Sequence, residues 1–383
     1  MPLHFDQTEY AARLEQATRA VNDAGLDALL MFAPESQYWI CGYDTFGFAM
    51  FQCLVLGADG QLDLVTRTPD LRQAQLTSTL SDDHIHIWQD VEGMRPAQDL
   101  KALLARRGLL GKKLGFEGDT AGLTDANGQM LRAVLDQPLV EASGIIRSCR
   151  RLKSKAEIAM HRRAAALSDD ALDAGITATH AGAFEGDILA AMQGAVFKGG
   201  GDYAGNEFVL GSGDYALLCR YYSGRRTLDP TDQLTVEWSG AYARYHAAMM
   251  RTMVIGTPTP HQLKLQDVAA EAMQACEAEI KPQAPMSNVF AAYAKTFDAA
   301  GLHDARLKAC GYGMGAIYNP IWVDFPMFYE GNPLPMQAGQ VFFLHMIAMD
   351  DAAGAAMCLG HSVLVTETGV ERLSRHPLDL IVR

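Results

Sequence analysis

The chain has 383 residues, 49% of them hydrophobic and 20% charged, and a net charge of −13. An acidic chain without a Lys/Arg run is a poor partner for nucleic acid, and no apolar stretch reaches membrane-spanning length. The length exceeds an ordinary single domain and suits two.

Residues 1–25 are mixed polar, with acids at Asp6 and Glu9, unlike the basic and then apolar start of a signal peptide. The spacing predicts a helix over 6–24. Asp6 suits the N-cap, Leu14, Ala17, Val21 and Ala24 form an apolar stripe, and Gly25 ends it. Residues 26–32 read as a buried strand, and 51–56 with 62–65 flank a hairpin turn at 57–60. Strands are expected at 84–88 and 113–117, with a helix over 96–107 between them. This alternation predicts a small α/β domain. A boundary is expected within 147–154. Beyond it, Ile158, Ala165, Leu172 and Ile176 recur at helical spacing over 155–179. Further helices are expected at 185–198, 261–280 and 286–300. The seven cysteines (41, 53, 149, 219, 276, 310 and 358) are scattered and include no Cys-x-x-Cys pair. Reduced thiols in a cytoplasmic protein are the expectation. Cys219 and Cys310 are read either as nucleophiles or as buried, inert thiols.

The residues that carry chemistry lie between and after these helices. Residues 232–256 read as two strands joined by a turn. Alternation puts Glu237 and Ser239 on one face of the first strand. Ala248 follows Glu237 by eleven positions, and Arg251-Thr252 by fourteen and fifteen. Further on come Gly311-Tyr312-Gly313-Met314-Gly315, then His345 inside the apolar run 341–349, then Gly360-His361 at the start of another strand. Neither Gly199-Gly200-Gly201 nor the 311–315 run has the spacing of a nucleotide loop, and no Gly-x-Ser-x-Gly elbow is present.

In the order of these motifs the chain resembles the creatinase/prolidase/aminopeptidase P superfamily, the pita-bread enzymes. The resemblance implies a small N-terminal creatinase-like α/β domain over 1–147 and a pita-bread catalytic domain over 148–383. It also implies that residues 34–43 form a strand-to-turn element. In the metal-dependent members five side chains bind two metal ions. The matching positions here hold Glu237, Ala248, Tyr312, His345 and Gly360. Alanine and glycine cannot ligate a hard cation. The resemblance therefore implies a metal-free member of the creatinase or ectoine hydrolase kind, with no cofactor. The alternatives are a proline-type metallopeptidase with a remodelled site and an inactive binding protein.

On that resemblance Glu237, His345, His246, His361 and Tyr312 are the candidate catalytic residues. Arg220, Tyr221, Tyr222, Arg251 and Phe48 are candidates for substrate binding. Arg220 falls where creatinase-like enzymes carry a histidine acid/base. Arginine is always protonated, so it could clamp a substrate carboxylate but could not shuttle a proton. The bland readings are a solvated Glu237, a satisfied core His345, a surface His246, a packed His361 and a structural salt bridge at Arg220. The resemblance also implies a homodimer in which Tyr43, Phe46, Phe48 and Phe51 reach over the partner's site.

Overall fold

The structure, a computed structural model, describes residues 3–218 and 224–383. Arg220, Tyr221 and Tyr222 lie outside the described residues, as does Cys219. The chain divides into two compact units at Arg151 and Leu152. A helix, Gly144–Cys149, buries Ile146 and Cys149 in the first unit's core, so the first unit runs past residue 147 to Arg151. Among the described residues no helix is long and apolar enough to cross a membrane.

The first unit opens with α1 (Gln7–Asp23), where the Asp6 carboxylate accepts the Glu9 amide N–H at 2.8 Å as the N-cap. There follow β1 (Ala28–Met31), α2 (Pro34–Cys41), β2 (Cys53–Gly57), β3 (Leu62–Arg67), α3 (Leu71–Thr77) and β4 (Ile85–Trp88). The unit ends with α4 (Pro96–Arg106), β5 (Leu114–Phe116), α5 (Asp125–Leu135), β6 (Leu139–Glu141) and α6 (Gly144–Cys149). The strands form one mixed sheet in the order β4-β3-β2-β1-β5-β6. Ala17, Val21, Trp39, Ile40 and Ile146 cover one face, and Leu100, Leu104 and Leu131 the other.

Two expectations fail in this unit. Residues 34–41 form helix α2, not a strand. Pro34 fixes φ at the first helical position, and Gly42 closes the helix at φ 82°. All but one of its residues are buried, so the helix shows no amphipathic period. The aromatic run does not act as one exposed surface either. Tyr43 and Phe51 are core residues, Phe48 is half-buried, and Phe46 alone stands out, 85% exposed.

The second unit begins with α7 (Lys155–Ala178). Its start is fixed by a capping box between Ser154 and Glu157. Then come α8 (Glu185–Lys198), β7 (Val209–Ser212), β8 (Asp232–Tyr242), β9 (Tyr245–Ile255), α9 (Pro260–Glu279) and α10 (Met286–Ala299). The chain continues through β10 (Ala309–Gly313), β11 (Asp324–Tyr329), β12 (Val341–Asp350), β13 (Ala355–Val365), β14 (Val370–Arg372) and β15 (Ile381–Val382). The main sheet runs β11-β10-β12-β13-β9-β8-β7, with β14 beside β13 and β15 beside β9.

Alternation sorts the side chains of this sheet onto two faces. On the helix face, α7 and α8 pack on Leu234, Val236, Trp238 and Met249, while α9 and α10 pack on Leu344, Met346 and Leu359. The opposite, inner face carries Ala248, Met250, Tyr312, Phe343, Ile347 and Cys358 in one buried apolar cluster. The strand pairing is uneven. β8 and β9 pair from Asp232↔Ile255 to Tyr242↔Tyr245, and β12 and β13 from Val341↔Leu364 to Asp350↔Ala355. Between β9 and β13 only Arg251↔Leu359 and Met250↔Gly360 pair.

Candidate active site

One rung of the sheet joins the sequence-predicted residues. Glu237 pairs with Met250, Met250 with Gly360, and Gly360 with His345. All four positions face inward. Three strand spacings of about 4.8 Å therefore separate the backbones of Glu237 and His345. Glu237 is half-buried and His345 is 7% exposed. The His345 ring sits 5.7 Å from the Tyr312 ring and 5.5 Å from the Phe343 ring, centroid to centroid. Trp322 Nε1 donates to Tyr312 Oη at 2.9 Å and fixes the phenol beside that imidazole. Glu237, His345 and Tyr312 thus share one face, amid apolar neighbours.

The other candidates do not join them. His246 is buried with both ring nitrogens bonded to backbone. Nδ1 lies 2.8 Å from Arg244 O, and Nε2 accepts the Gly205 N–H at 2.8 Å. Burial pushes its pKa down to about 4. An imidazole held this way positions backbone and does not shuttle protons. His361 points to the helix face, where Nε2 meets Glu277 Oε1 on α9 at 2.7 Å. Of the pair Gly360 and His361, it is Gly360 that faces inward. Arg251 is also on the helix face and 2% exposed, so it cannot bind a substrate on the inner face. Phe48 belongs to the first unit. Cys310 is buried and its thiol pKa lies well above the ordinary value, because burial disfavours the thiolate. It is an inert thiol.

Sequence reasoning missed three features. Glu277 lies on α9, where it receives Arg372 at 2.8 Å as well as His361. Burial acts to raise its pKa, but the hydrogen bonds from His361 and Arg372 outweigh burial and hold it at about 2. His161 on α7 is fully buried, with Nδ1 2.8 Å from His246 O, and burial pushes its pKa to about 3. No local pattern announced either residue. The place of Arg251 was legible: it has the opposite parity to Ala248, so alternation alone turns it away from the inner face.

Residues 159–367 match the family model of Metallopeptidase family M24, and residues 13–152 that of the Creatinase/Prolidase N-terminal domain. The chain belongs to family M24. Among the M24 chain's relatives is the ectoine hydrolase of Halomonas elongata, 26% identical over 402 residues, covering all of this chain and 99% of that protein. The probable dipeptidase PepE of Mycobacterium tuberculosis is 27% identical over 390 residues, covering 99% and 98%. In fold the chain is similar to the crystal structure of dipeptidase PepE from Mycobacterium ulcerans. The TM-score is 0.86 at 24% identity, with 99% of each chain covered.

The family name implies metal ions, so the M24 chain's own donors must be tested against them. Of the five positions only Glu237 and His345 carry strong ligands, and two strands lie between theirs. Ala248 offers a methyl group, and the Tyr312 phenol accepts from Trp322. A Cβ on Gly360 would stand 2.8 Å from the Phe343 ring, so that ring fills the space a fifth ligand needs. Among the described residues no three His, Cys, Asp or Glu side chains converge as a metal site. This donor set does not fit a two-metal centre.

Proposed function

We propose that this M24 hydrolase cleaves a C–N bond in a small polar metabolite without a metal ion. The substrate class is an amidine, a guanidine or a cyclic amide, of the ectoine or creatine type. The observation that carries the reading is the inner-face rung. It keeps one carboxylate and one imidazole, while the remaining ligand positions hold a methyl group, a phenol and a bare glycine. The full-length similarity to an ectoine hydrolase supports it.

In this reading Glu237 pairs with the cationic amidine or guanidinium and draws the electrophilic carbon toward water. His345 takes a proton from that water as its oxygen bonds to carbon. It then returns the proton to the leaving nitrogen as the C–N bond breaks, and the hydroxyl left on carbon gives its remaining proton to the departing amine as the C=O bond forms. Tyr312, held by Trp322, donates to the oxygen as negative charge develops there. Arg220 keeps its assignment to the substrate carboxylate, where a bidentate fork suits the anion. We also infer a cytoplasmic homodimer, with Phe46 as the exposed anchor toward the second copy.

The test is turnover of ectoine, creatine and an X-Pro dipeptide, before and after dialysis against a chelator, with metal content measured on the same samples. We expect C–N cleavage of a non-peptide substrate that survives dialysis. The similarity to PepE favours one other reading, a dipeptidase with a remodelled site. Stoichiometric Mn, Co, Zn or Fe, with dipeptide cleavage lost on its removal, would establish that reading instead.

A further inference from the structure

The seam between β9 and β13 has a construction of its own. The two half-sheets that carry Glu237 and His345 meet there through two register pairs only. Further along the same register side chains bridge the strands, one position on at Cys358 and Thr252 and, in the other direction, two positions on at Ser362 and Ala248. Ser362 Oγ donates to Ala248 O at 3.1 Å, and the Cys358 N–H donates to Thr252 Oγ1 at 2.9 Å. Backbone pairing lapses on both sides of the contact, so the ladder alone fixes the crossing of the half-sheets weakly.

Arg251 lies behind this point, on the helix face. Its Nη1 donates to Met250 O at 2.8 Å and to Gly360 O at 2.6 Å. These are the two rung residues that stand between Glu237 and His345. Nη2 reaches Pro377 O at 3.5 Å. The guanidinium is 2% exposed, and burial lowers its pKa to about 10, opposed by the nearby Asp169 and reinforced by Arg372. A cation is thus kept in the interior, with two of its hydrogen bonds spanning one strand gap. Such charge-assisted bonds are strong where water is excluded.

We propose that Arg251 is a positioning residue. It clamps β9 to β13 at the shared rung and so sets the spacing of Glu237 and His345 across the seam. The inference rests on the reading of those two residues as the reacting pair. It concerns a group that touches neither substrate nor inner face.

Crystal structures and amide exchange test the clamp without any substrate. Arg251→Lys keeps the charge and replaces the fork with one ammonium group. We expect the Glu237 to His345 side-chain separation to change by about 0.5 Å or more, the scale that separates productive from loose geometry. Exchange in peptides covering 246–256 and 355–365 should speed by about tenfold or more, as loss of a buried charged hydrogen bond implies. On ectoine or creatine, kcat should fall with KM nearly constant, and millimolar guanidinium should restore part of the turnover of Arg251→Ala. Unchanged separation and exchange in Arg251→Lys overturn the proposal. If Arg251→Lys does not fold, Thr252→Val combined with Ser362→Ala decides instead. That variant loosens the flanks but leaves the clamp, and a changed separation there would show that Arg251 does not set it. A wild-type protein inert on both substrates defeats the ectoine- or creatine-type reading, while the exchange and separation results still decide the clamp.

Discussion

The two faces of the main sheet use their polar side chains in opposite ways. On the helix face, His361, Glu277 and Arg372 bond to one another, and Arg251 grips backbone carbonyls. Those groups are spent on holding the fold. On the inner face Glu237 and His345 share a rung with Met250 and Gly360, and the Tyr312 and Phe343 rings lie beside His345. Three histidines that look alike in the sequence therefore differ in kind. His246 is fixed by backbone, His361 by a carboxylate, and His345 lies between aromatic rings. What a histidine can do is set by the face it occupies and by what holds it.

Substitutions on each face should separate these roles. The largest effect is expected at Glu237→Gln, which keeps shape and removes charge. Turnover should fall by about a hundredfold or more with the melting temperature nearly unchanged. His345→Asn should act on turnover by a similar factor and leave substrate affinity largely intact. Near-normal turnover in it would make His345 a core residue and erase the contrast. On the other face the order reverses. Glu277→Ala strands a buried imidazole and a guanidinium and should cost about 2–4 kcal/mol in denaturant unfolding, with kcat preserved in the folded protein.

Acid should expose the same division. His161 and His246 are neutral and buried, with folded pKa values of about 3 and about 4 against an ordinary 6.5. Below pH 6.5 the unfolded chain takes up protons that the folded chain refuses. Stability should therefore fall as pH drops from 6.5 to about 4, by up to about 3 kcal/mol per pH unit for the two groups together. Urea midpoints at pH 7 and pH 5 measure this, and equal midpoints would contradict the assignment. The smallest effect is expected at Phe46→Ser. It should weaken self-association in sedimentation without moving the melting temperature of dilute protein.

Much of the fold was legible because its signals are local. The Asp6 cap, the 57–60 turn, the stripe of α7 and the apolar runs of β9 and β12 all lie within one element. Helix α2 escaped because Tyr38, Trp39, Ile40 and Cys41 are buried all round, which removes the periodicity that marks a helix. Glu237, Tyr312 and His345 were placed on one face by family register combined with alternation. His246 was misread because its deciding partner, the Gly205 amide, lies 41 residues away in a turn with no motif. His361 was undecidable until the β12–β13 register showed which of two neighbours faces inward.

The Phe343 ring over Gly360 bears on the order in which this site can change. Suppose a carboxylate were to be introduced at position 360 one substitution at a time. Gly360→Glu first would drive its Cβ into a ring 2.8 Å away, with Leu344 O at 2.9 Å behind it. Overpacking of that kind typically costs about 1–3 kcal/mol. Shrinking Phe343 beforehand removes the ring clash but opens a cavity under His345. Either first step is a loss, so packing as well as side-chain identity opposes a carboxylate at position 360.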